Sequence, residues 1–234
     1  MTDLRVIEIF DSLQGEGYWT GTPMTFVRLA GCNAPELGLD CLRWCDTPAG
    51  WDPEGGEPLP VADILDRARF PRLCLTGGEP LLQAEGAAAL VGEAHRRGMR
   101  VHLETNGTVA PSDARGDAFF DWVVVSPKPF RYAIAGAWDG LIDELKLVVD
   151  DRMDAATAER LAAAHPGAII SIQPVWEGPG AAPARQLDPT GREAPGEAAR
   201  RRPGDTSEAR AVRMVMEHLD WRLSLQTHKY LGIR

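Results

Sequence analysis

The pattern of hydrophobic and polar positions divides the chain into short apolar runs and longer segments with helical spacing. The short runs are rich in β-branched residues and end at polar or turn residues, which is typical of strands. Strands are predicted over 4–10, 24–29, 73–76, 101–104, 122–126, 144–149 and 169–173. Helices are predicted over 61–68, 83–97 and 155–165. Because the strands alternate with helices, we expect parallel pairing in an α/β barrel or an open part of one.

The segment 177–206 interrupts this alternation. It is dominated by Gly, Pro, Ala, Arg and Glu and offers little that could pack in a core, so we predict a flexible insertion there. The run Arg200-Arg201-Arg202 is short and is expected to be solvated. After the insertion, 207–218 has the apolar spacing of a helix and 221–225 the pattern of a strand. We therefore expect residues 1–234 to form a single domain with one insertion.

Length, charge and composition exclude several classes of protein. The chain has 234 residues, of which 44% are hydrophobic and 25% charged, as in a globular domain that buries its own core. Its net charge of −9 has the wrong sign for a protein held on nucleic acid by phosphate contacts. The first residues lack a basic and then apolar leader, and no run of about 18 apolar residues occurs. We expect a cytoplasmic protein with neither a nucleic-acid nor a membrane partner.

Three of the four cysteines, Cys32, Cys41 and Cys45, are clustered, whereas Cys74 lies alone in a predicted strand. In a reducing compartment such a cluster indicates a metal or redox site more often than a disulfide. Structural zinc normally takes four protein ligands, whereas three thiolates can hold a cubane iron–sulfur cluster that leaves one iron open. On spacing alone both sites are open: an iron–sulfur cluster, or a zinc site completed by Cys74 or a distant histidine.

A second motif, Thr76-Gly77-Gly78-Glu79-Pro80, lies between a predicted strand and a predicted helix. The glycine pair lets backbone groups approach a polar ligand, and Glu79 could receive an ammonium group. Together with Trp44-Cys45-Asp46, this motif resembles those of the radical S-adenosylmethionine superfamily. The usual cysteine spacing of that superfamily is Cys-x3-Cys-x2-Cys, and here it is Cys-x8-Cys-x3-Cys. A loop bulge would therefore have to place Cys41 as the middle ligand.

Within that superfamily the chain resembles the 7-carboxy-7-deazaguanine synthases. The segments that carry the resemblance are Ser12–Gly17, Phe26–Asn33, Cys45–Thr47, Leu103–Thr108, Ser126–Lys128 and Gln226–Lys229. They extend over nearly the whole chain outside the predicted insertion. The resemblance implies an incomplete TIM-type barrel of parallel strands with few helices, which is the radical S-adenosylmethionine core.

The resemblance implies a lyase of queuosine and 7-deazapurine biosynthesis. Its substrate would be 6-carboxy-5,6,7,8-tetrahydropterin, which becomes 7-carboxy-7-deazaguanine with loss of ammonia. A [4Fe–4S] cluster on Cys32, Cys41 and Cys45 would bind S-adenosylmethionine at its open iron and split it to a 5′-deoxyadenosyl radical. No catalytic side chain is implied beyond the cluster and this cofactor radical. A homodimer, an electron donor such as flavodoxin and a Mg²⁺ ion at Thr47 are also implied.

The resemblance also assigns binding residues. The cofactor-binding positions would be Trp44, Asp46, Gly77, Gly78, Glu79, Ser126, Pro127, Lys128, Gln173, Pro174, Val175 and Trp176. Among them, Lys128 would bind the carboxylate of the cofactor and Glu79 its ammonium. The substrate-binding positions would be Leu13, Gln14, Gly15, Glu16, Arg28, Thr76, Glu104, His228 and Arg234. Arg28 would hold the substrate carboxylate with a bidentate fork, and Arg234 would act through its terminal carboxylate.

Two alternative functions are kept. A glycyl-radical activating enzyme of the same superfamily would need a surface for a large protein substrate, which the pterin-facing residues disfavour. A non-catalytic zinc-binding protein would use the cysteines for structure alone. The remaining histidines belong to no motif and are expected to be structural: His95, His102, His165 and His218.

Overall fold

A nine-stranded sheet organises residues 3–111, 119–129, 131–177 and 206–234, which the structure, a computed structural model, describes. Its strands are β1 (Asp3–Leu13), β2 (Pro23–Leu29), β3 (Glu57–Pro60), β4 (Arg72–Gly77), β5 (Arg100–Thr105), β6 (Trp122–Val125), β7 (Glu144–Val149), β8 (Ile169–Pro174) and β9 (Arg222–Leu223). They lie in the order β3-β1-β2-β4-β5-β6-β7-β8-β9. The sheet is not closed, because β3 and β9 form its two edges.

Within these ranges six α-helices accompany the sheet. They are α1 (Ala34–Leu37), α2 (Val61–Asp66), α3 (Ala84–Arg96), α4 (Ala155–Ala164), α5 (Ser207–Glu217) and α6 (Thr227–Leu231). Every strand and helix predicted from the sequence is present, with bounds shifted by a few residues. The sequence analysis missed β3, α1 and α6, which are all short.

The expectation of parallel pairing holds from β2 to β9 and is wrong for β1. That strand pairs antiparallel with both β2 and β3. Residues 14–22 connect β1 to β2, and a segment this short cannot make the crossover of a dozen or more residues that parallel strands need. The sheet is therefore mostly parallel, with an antiparallel edge.

Alternation along the parallel strands separates an apolar face from a polar one. In β7, Leu145 and Leu147 are fully buried in the main hydrophobic core, which lies between the sheet and the helices. Lys146 lies between them in sequence and so belongs to the opposite face. On β5, Leu103 likewise lies on the core face and Glu104 on the opposite face. The second face of the sheet thus carries the polar side chains that surround a cavity.

The loop 14–22 crosses the open side of the sheet and joins its two ends. Gly17 N donates to Ser224 Oγ (2.8 Å), next to β9, and Thr227 N donates to Gly15 O (2.9 Å). Gly17 has a φ of +66°, a conformation that favours glycine. These bonds hold the loop over the polar face, where its side chains become part of the cavity wall.

Most of the predicted insertion, together with Arg200-Arg201-Arg202, lies outside the described residues. Among the helices that are described, none has the length and apolar character needed to cross a membrane.

Candidate active site

A cavity of about 1730 Å³ lies over the polar face of the sheet. Every residue that the sequence analysis assigned to the cluster, Mg²⁺, cofactor or substrate lines it, except Glu79 and Pro127. The structure therefore brings together positions that are spread from Leu13 to Arg234.

The three clustered cysteines reach this cavity from the segment after β2. Cys32 directly follows Gly31, Cys41 lies in a 3₁₀ turn (Asp40–Arg43), and Cys45 comes just after that turn. All are free thiols. Burial raises the pKa of Cys32 above its usual range and raises the pKa of Cys41 to about 12. A metal that binds these thiols would therefore have to displace their protons.

A cluster and a single metal ion make different demands on the thiols. In the part of the chain that the structure describes, no three His, Cys, Asp or Glu side chains are gathered closely enough to hold one ion. Cys74, the candidate fourth zinc ligand, is fully buried in β4 and does not line the cavity. A cubane binds each thiolate through a different iron, so it fits a wider spacing than zinc does.

The 3₁₀ turn takes up the extra residue between the second and third cysteines. Trp44 N donates to Cys41 O (3.1 Å), and Asp40 N donates to Pro129 O (2.7 Å). Trp51 Nε1 donates to Cys45 Sγ (3.3 Å). The loop is thus compact at the point where the spacing departs from the usual pattern, and Cys41 faces the cavity.

The only two asparagines of the chain tie the cysteine loop to the end of β5. Asn106 Nδ2 donates to Asn33 Oδ1 (2.9 Å), and Asn33 Nδ2 donates to Thr108 Oγ1 (2.8 Å). Because Asn33 directly follows Cys32, these bonds fix the position of the first cysteine. Sequence analysis included both asparagines in its motifs but gave them no role.

The Gly77-Gly78 segment passes directly against the cysteine loop. A Cβ atom added to Gly78 would lie 2.5 Å from Gly50 O and 2.7 Å from Cys32 Cβ. Glu79 N donates to Gly31 O (2.8 Å), which joins the two segments. Only glycine at position 78 lets the backbones approach this closely.

The structure places the Glu79 side chain away from the cavity wall. It is fully buried, and its carboxylate accepts hydrogen bonds from Leu81 N (3.1 Å), Thr105 Oγ1 (2.8 Å) and Asn106 N (2.7 Å). Burial raises its pKa despite these donors. In this arrangement Glu79 braces the turn that follows β5, and its contact with the ammonium group of the cofactor stays a prediction. Pro127 likewise does not reach the cavity.

The chain contains only three lysines, Lys128, Lys146 and Lys229, and all three line the cavity. Lys128 Nζ lies 2.8 Å from Ser126 Oγ and 5.4 Å from the centre of the Trp44 ring. Burial lowers its pKa. These contacts place a desolvated cation next to the cysteines, where it can bind an anionic group.

Lys229 provides a second cation at the rim of the site. Its Nζ lies 2.6 Å from Asp46 Oδ2, and Thr47 Oγ1 donates to Asp46 Oδ1 (3.1 Å). Burial alone would raise the pKa of Asp46, but the Lys229 ammonium lowers it overall. Asp46 is therefore ionised, and the Thr47 hydroxyl oxygen faces the cavity beside it.

Two arginines meet at the side of the cavity formed by β1 and β2. Arg28 Nε binds Glu8 Oε1 (2.9 Å), and Arg234 NH2 binds the other oxygen of the same carboxylate. Both guanidinium groups lie over the Phe10 ring, at 5.9 and 5.1 Å from its centre. Glu8, which sequence analysis missed, thus aligns two donors of planar geometry that suit a carboxylate.

A second polar cluster forms the floor of the cavity. Gln14 Nε2 donates to Glu104 Oε1 (3.0 Å), and Gln226 Nε2 donates to Glu16 Oε1 (2.7 Å). Lys146 Nζ binds Glu16 Oε2 and lies 3.6 Å from Glu104 Oε2. Lys146 and Gln226 were not assigned roles from the sequence, although Gln226 lies in one of the quoted motifs.

His228 lies over the loop 14–22 at the edge of this floor. A Cβ atom on Gly15 would lie 2.7 Å from His228 Cγ, so the glycine makes room for the imidazole. Burial lowers the pKa of His228, which is therefore neutral at pH 7. A neutral imidazole can both donate and accept a hydrogen bond.

Comparison with known proteins identifies the family. The 7-carboxy-7-deazaguanine synthase of Synechocystis sp. is 32% identical over 233 residues, which cover 98% of this chain and 93% of that protein. The synthase of Bradyrhizobium diazoefficiens is 35% identical, with 98% of both chains covered. The chain belongs to the 7-carboxy-7-deazaguanine synthase family. The family that the motifs indicated is thereby confirmed.

A solved structure supports the fold of this family member. The crystal structure of QueE from Escherichia coli matches with a TM-score of 0.68 and 22% identity, and covers 96% of this chain and 94% of that one. No protein-family model matches the chain. The likeness confirms the fold prediction in its general form, a mostly parallel and unclosed sheet with few helices.

Proposed function

We propose that the chain converts 6-carboxy-5,6,7,8-tetrahydropterin to 7-carboxy-7-deazaguanine with loss of ammonia, as a radical S-adenosylmethionine enzyme. The observation that carries this proposal is the meeting of three free thiols with two cationic regions in one cavity. One region is centred on Lys128, beside the cysteines, and the other on Arg28. The cavity can therefore take a cofactor with a carboxylate and a substrate with another.

The residues around the cysteines suit a [4Fe–4S] cluster with one open iron. When bound, the cluster and S-adenosylmethionine would supply the radical that removes hydrogen from the substrate. Lys128, desolvated and held by Ser126, would bind the cofactor carboxylate. Gly77 and Gly78 line the cavity beside the cysteine loop, where the lack of side chains would let the cofactor pass close to their backbone.

The opposite part of the cavity suits the pterin. Arg28 would bind the substrate carboxylate, with its Nε occupied by Glu8. The carboxylates of Glu16 and Glu104 would accept hydrogen bonds from the guanidine-like edge of the ring. His228, neutral and adjacent, would contact the ring from the loop side.

The proposal extends to features that the resemblance implies. Thr47 would provide an oxygen ligand to a Mg²⁺ ion that otherwise binds substrate oxygens and water, as this ion commonly does. Its hydroxyl lies 3.5 Å from Arg28 NH1, so ion and arginine would meet at one substrate carboxylate. We further propose a cytoplasmic homodimer that is reduced by an electron donor such as flavodoxin.

Product formation tests the proposal. The chain is reconstituted with iron and sulfide without oxygen and incubated with the carboxypterin, S-adenosylmethionine and dithionite. Mass analysis is expected to show a product that has lost ammonia. Replacement of Cys32, Cys41 or Cys45 by alanine should abolish it, whereas Cys74→Ala, outside the cavity wall, should retain it.

Two outcomes would contradict the proposal. A wild-type chain that carries its cluster and forms no such product is not this synthase, and the glycyl-radical activating alternative would then be tested. A colourless chain with one tightly held zinc would favour the zinc-binding protein. If only Cys41→Ala stays active, the middle ligand has been assigned wrongly.

A further inference from the structure

We infer that Lys146 is a positioning residue that holds Glu16 and Glu104 together as a pair of hydrogen-bond acceptors for the substrate ring. The inference rests on the proposed function and adds a residue that the family resemblance did not assign. It follows from the position of the lysine on β7, from the carboxylates that face it, and from the small number of lysines in this chain.

The geometry brings one cation between two carboxylates from different parts of the chain. Lys146 lies in the middle of β7, with Leu145 and Leu147 in the core on the other face. Only 7% of its side chain is exposed. Its ammonium binds Glu16 from the loop 14–22 and lies 3.6 Å from Glu104 of β5. One nitrogen atom therefore fixes the relative position of both acceptors.

Charge explains why the two carboxylates need this partner. Two carboxylates that share a poorly solvated site repel each other, and one of them tends to take up a proton. A protonated carboxyl group would present a donor to the N–H edge of the ring, where an acceptor is required. The Lys146 ammonium offsets the repulsion, and it lowers the pKa of Glu16 although burial alone would raise it.

A third carboxylate near Lys146 is already occupied. Glu144 is buried, 1% exposed, and accepts hydrogen bonds from Tyr18 N (3.1 Å) and Ser171 Oγ (2.5 Å). It holds the loop 14–22 from below and does not line the main cavity. Lys146 is thus surrounded by three carboxylates, of which Glu16 and Glu104 alone face the cavity.

The choice of lysine separates this contact from an ordinary ion pair. Of 25 basic residues only three are lysines, and all three line the cavity. Elsewhere the chain joins two carboxylates with arginine: Arg97 uses Nε for Glu93 (2.9 Å) and NH1 for Asp66 (2.6 Å). An arginine binds its two partners through different nitrogen atoms of the guanidinium group, which keeps the partners apart. A lysine attracts both carboxylates to its one nitrogen atom.

The test compares Lys146→Met with wild type in the reconstituted holoenzyme, using the carboxypterin and S-adenosylmethionine as probes. We expect the KM for the carboxypterin to rise roughly tenfold, because the cation that hydrogen-bonds Glu16 and lies beside Glu104 is lost. The KM for S-adenosylmethionine should stay within about twofold of wild type, as for Arg97→Met, the surface control. Iron content should match wild type in both variants.

Lys146→Arg should recover part of the lost affinity for the carboxypterin, because it restores the charge with a different geometry. A Lys146→Met enzyme with wild-type KM for the carboxypterin would overturn the inference. An equal rise in the KM values of both small molecules would also overturn it, since that result indicates general damage to the fold.

If Lys146→Met does not fold, the double variant Lys146→Met/Glu104→Gln removes one partly buried carboxylate along with the cation. Its KM for the carboxypterin should exceed that of Glu104→Gln alone, because Glu16 has still lost its partner. Equal KM values in these two variants would refute the inference. If the wild-type chain itself forms no product, the proposed function fails, and the inference with it. If wild type and Lys146→Met turn over alike, only the inference fails.

Discussion

Replacement of Gly78 by alanine should prevent the chain from holding its cluster. The added Cβ would lie 2.5 Å from Gly50 O and 2.7 Å from Cys32 Cβ, and closer still to Gly31 O. Real contacts of this kind begin at 3.0 Å, so Gly50 O must retreat by at least 0.5 Å and Gly31 O by more. These atoms are backbone and cannot turn aside as a flexible side chain could.

The stability that Gly78→Ala loses can be worked out from the backbone atoms that have to move. Gly31 O accepts the bond from Glu79 N at 2.8 Å, so its displacement weakens a backbone hydrogen bond worth about 1 kcal/mol. Overpacking adds about 1–3 kcal/mol. The sum, about 2–4 kcal/mol, is a large share of the stability of a domain but need not unfold it. Cys32 follows Gly31 directly, however, and a ligand displaced by about 0.5 Å no longer meets the geometry that a metal site requires.

Gly92 provides the matched control. It lies in α3, where a Cβ would meet only Arg96 NH1 at 3.8 Å. The Gly92→Ala protein should therefore keep its iron. Its free energy of unfolding should rise by about 0.5–1 kcal/mol, because alanine has a higher helix propensity than glycine. Iron content and anaerobic thermal unfolding are measured for both variants. Full iron content in Gly78→Ala would refute the close approach of the two loops.

Two further predictions concern the wall and floor of the cavity. Gly15→Ala should displace His228 and raise the KM for the carboxypterin several-fold without loss of iron, since the new Cβ would lie 2.7 Å from His228 Cγ; an unchanged KM would contradict the contact of His228 with the substrate. His102 packs against Trp19 and Trp122, and burial lowers its pKa to about 4. Between about pH 6.5 and pH 4 the unfolded chain then binds more protons than the folded one, so the free energy of unfolding falls as pH is lowered through this window, by about 2–3 kcal/mol. His102→Phe should remove that part of the loss in urea titrations at about pH 7 and pH 4.5, and an equal loss in both proteins would show that His102 is not its source.

The sequence predicted the main strands and helices because their apolar spacing is regular. It did not predict the direction of β1, since alternation within a strand carries no information on its neighbours. Glu8 and Arg28 show the consequence. They are direct cross-strand partners between β1 and β2, but their register also depends on an irregularity between Val6 and Glu8 that no local pattern reveals.

Most positions assigned from the sequence line one cavity, but the sequence could not give their contacts with each other. Motifs placed Glu79 beside a ligand, but they cannot show which way a side chain turns after a glycine pair. The structure turns it inward to Thr105 and Asn106. Lys146 interrupts an apolar strand, and that interruption, together with the rarity of lysine in this chain, is the signal that sequence analysis did not use.

The account depends most on a cluster that is held by Cys32, Cys41 and Cys45 and keeps one iron open. Electron paramagnetic resonance of the reduced, reconstituted chain, recorded with and without S-adenosylmethionine, tests this most directly. We predict about four irons per chain and a spectrum that changes when the cofactor is added, because the cofactor binds the open iron. A spectrum that the cofactor leaves unchanged, or a chain that holds zinc and no iron, would contradict the account.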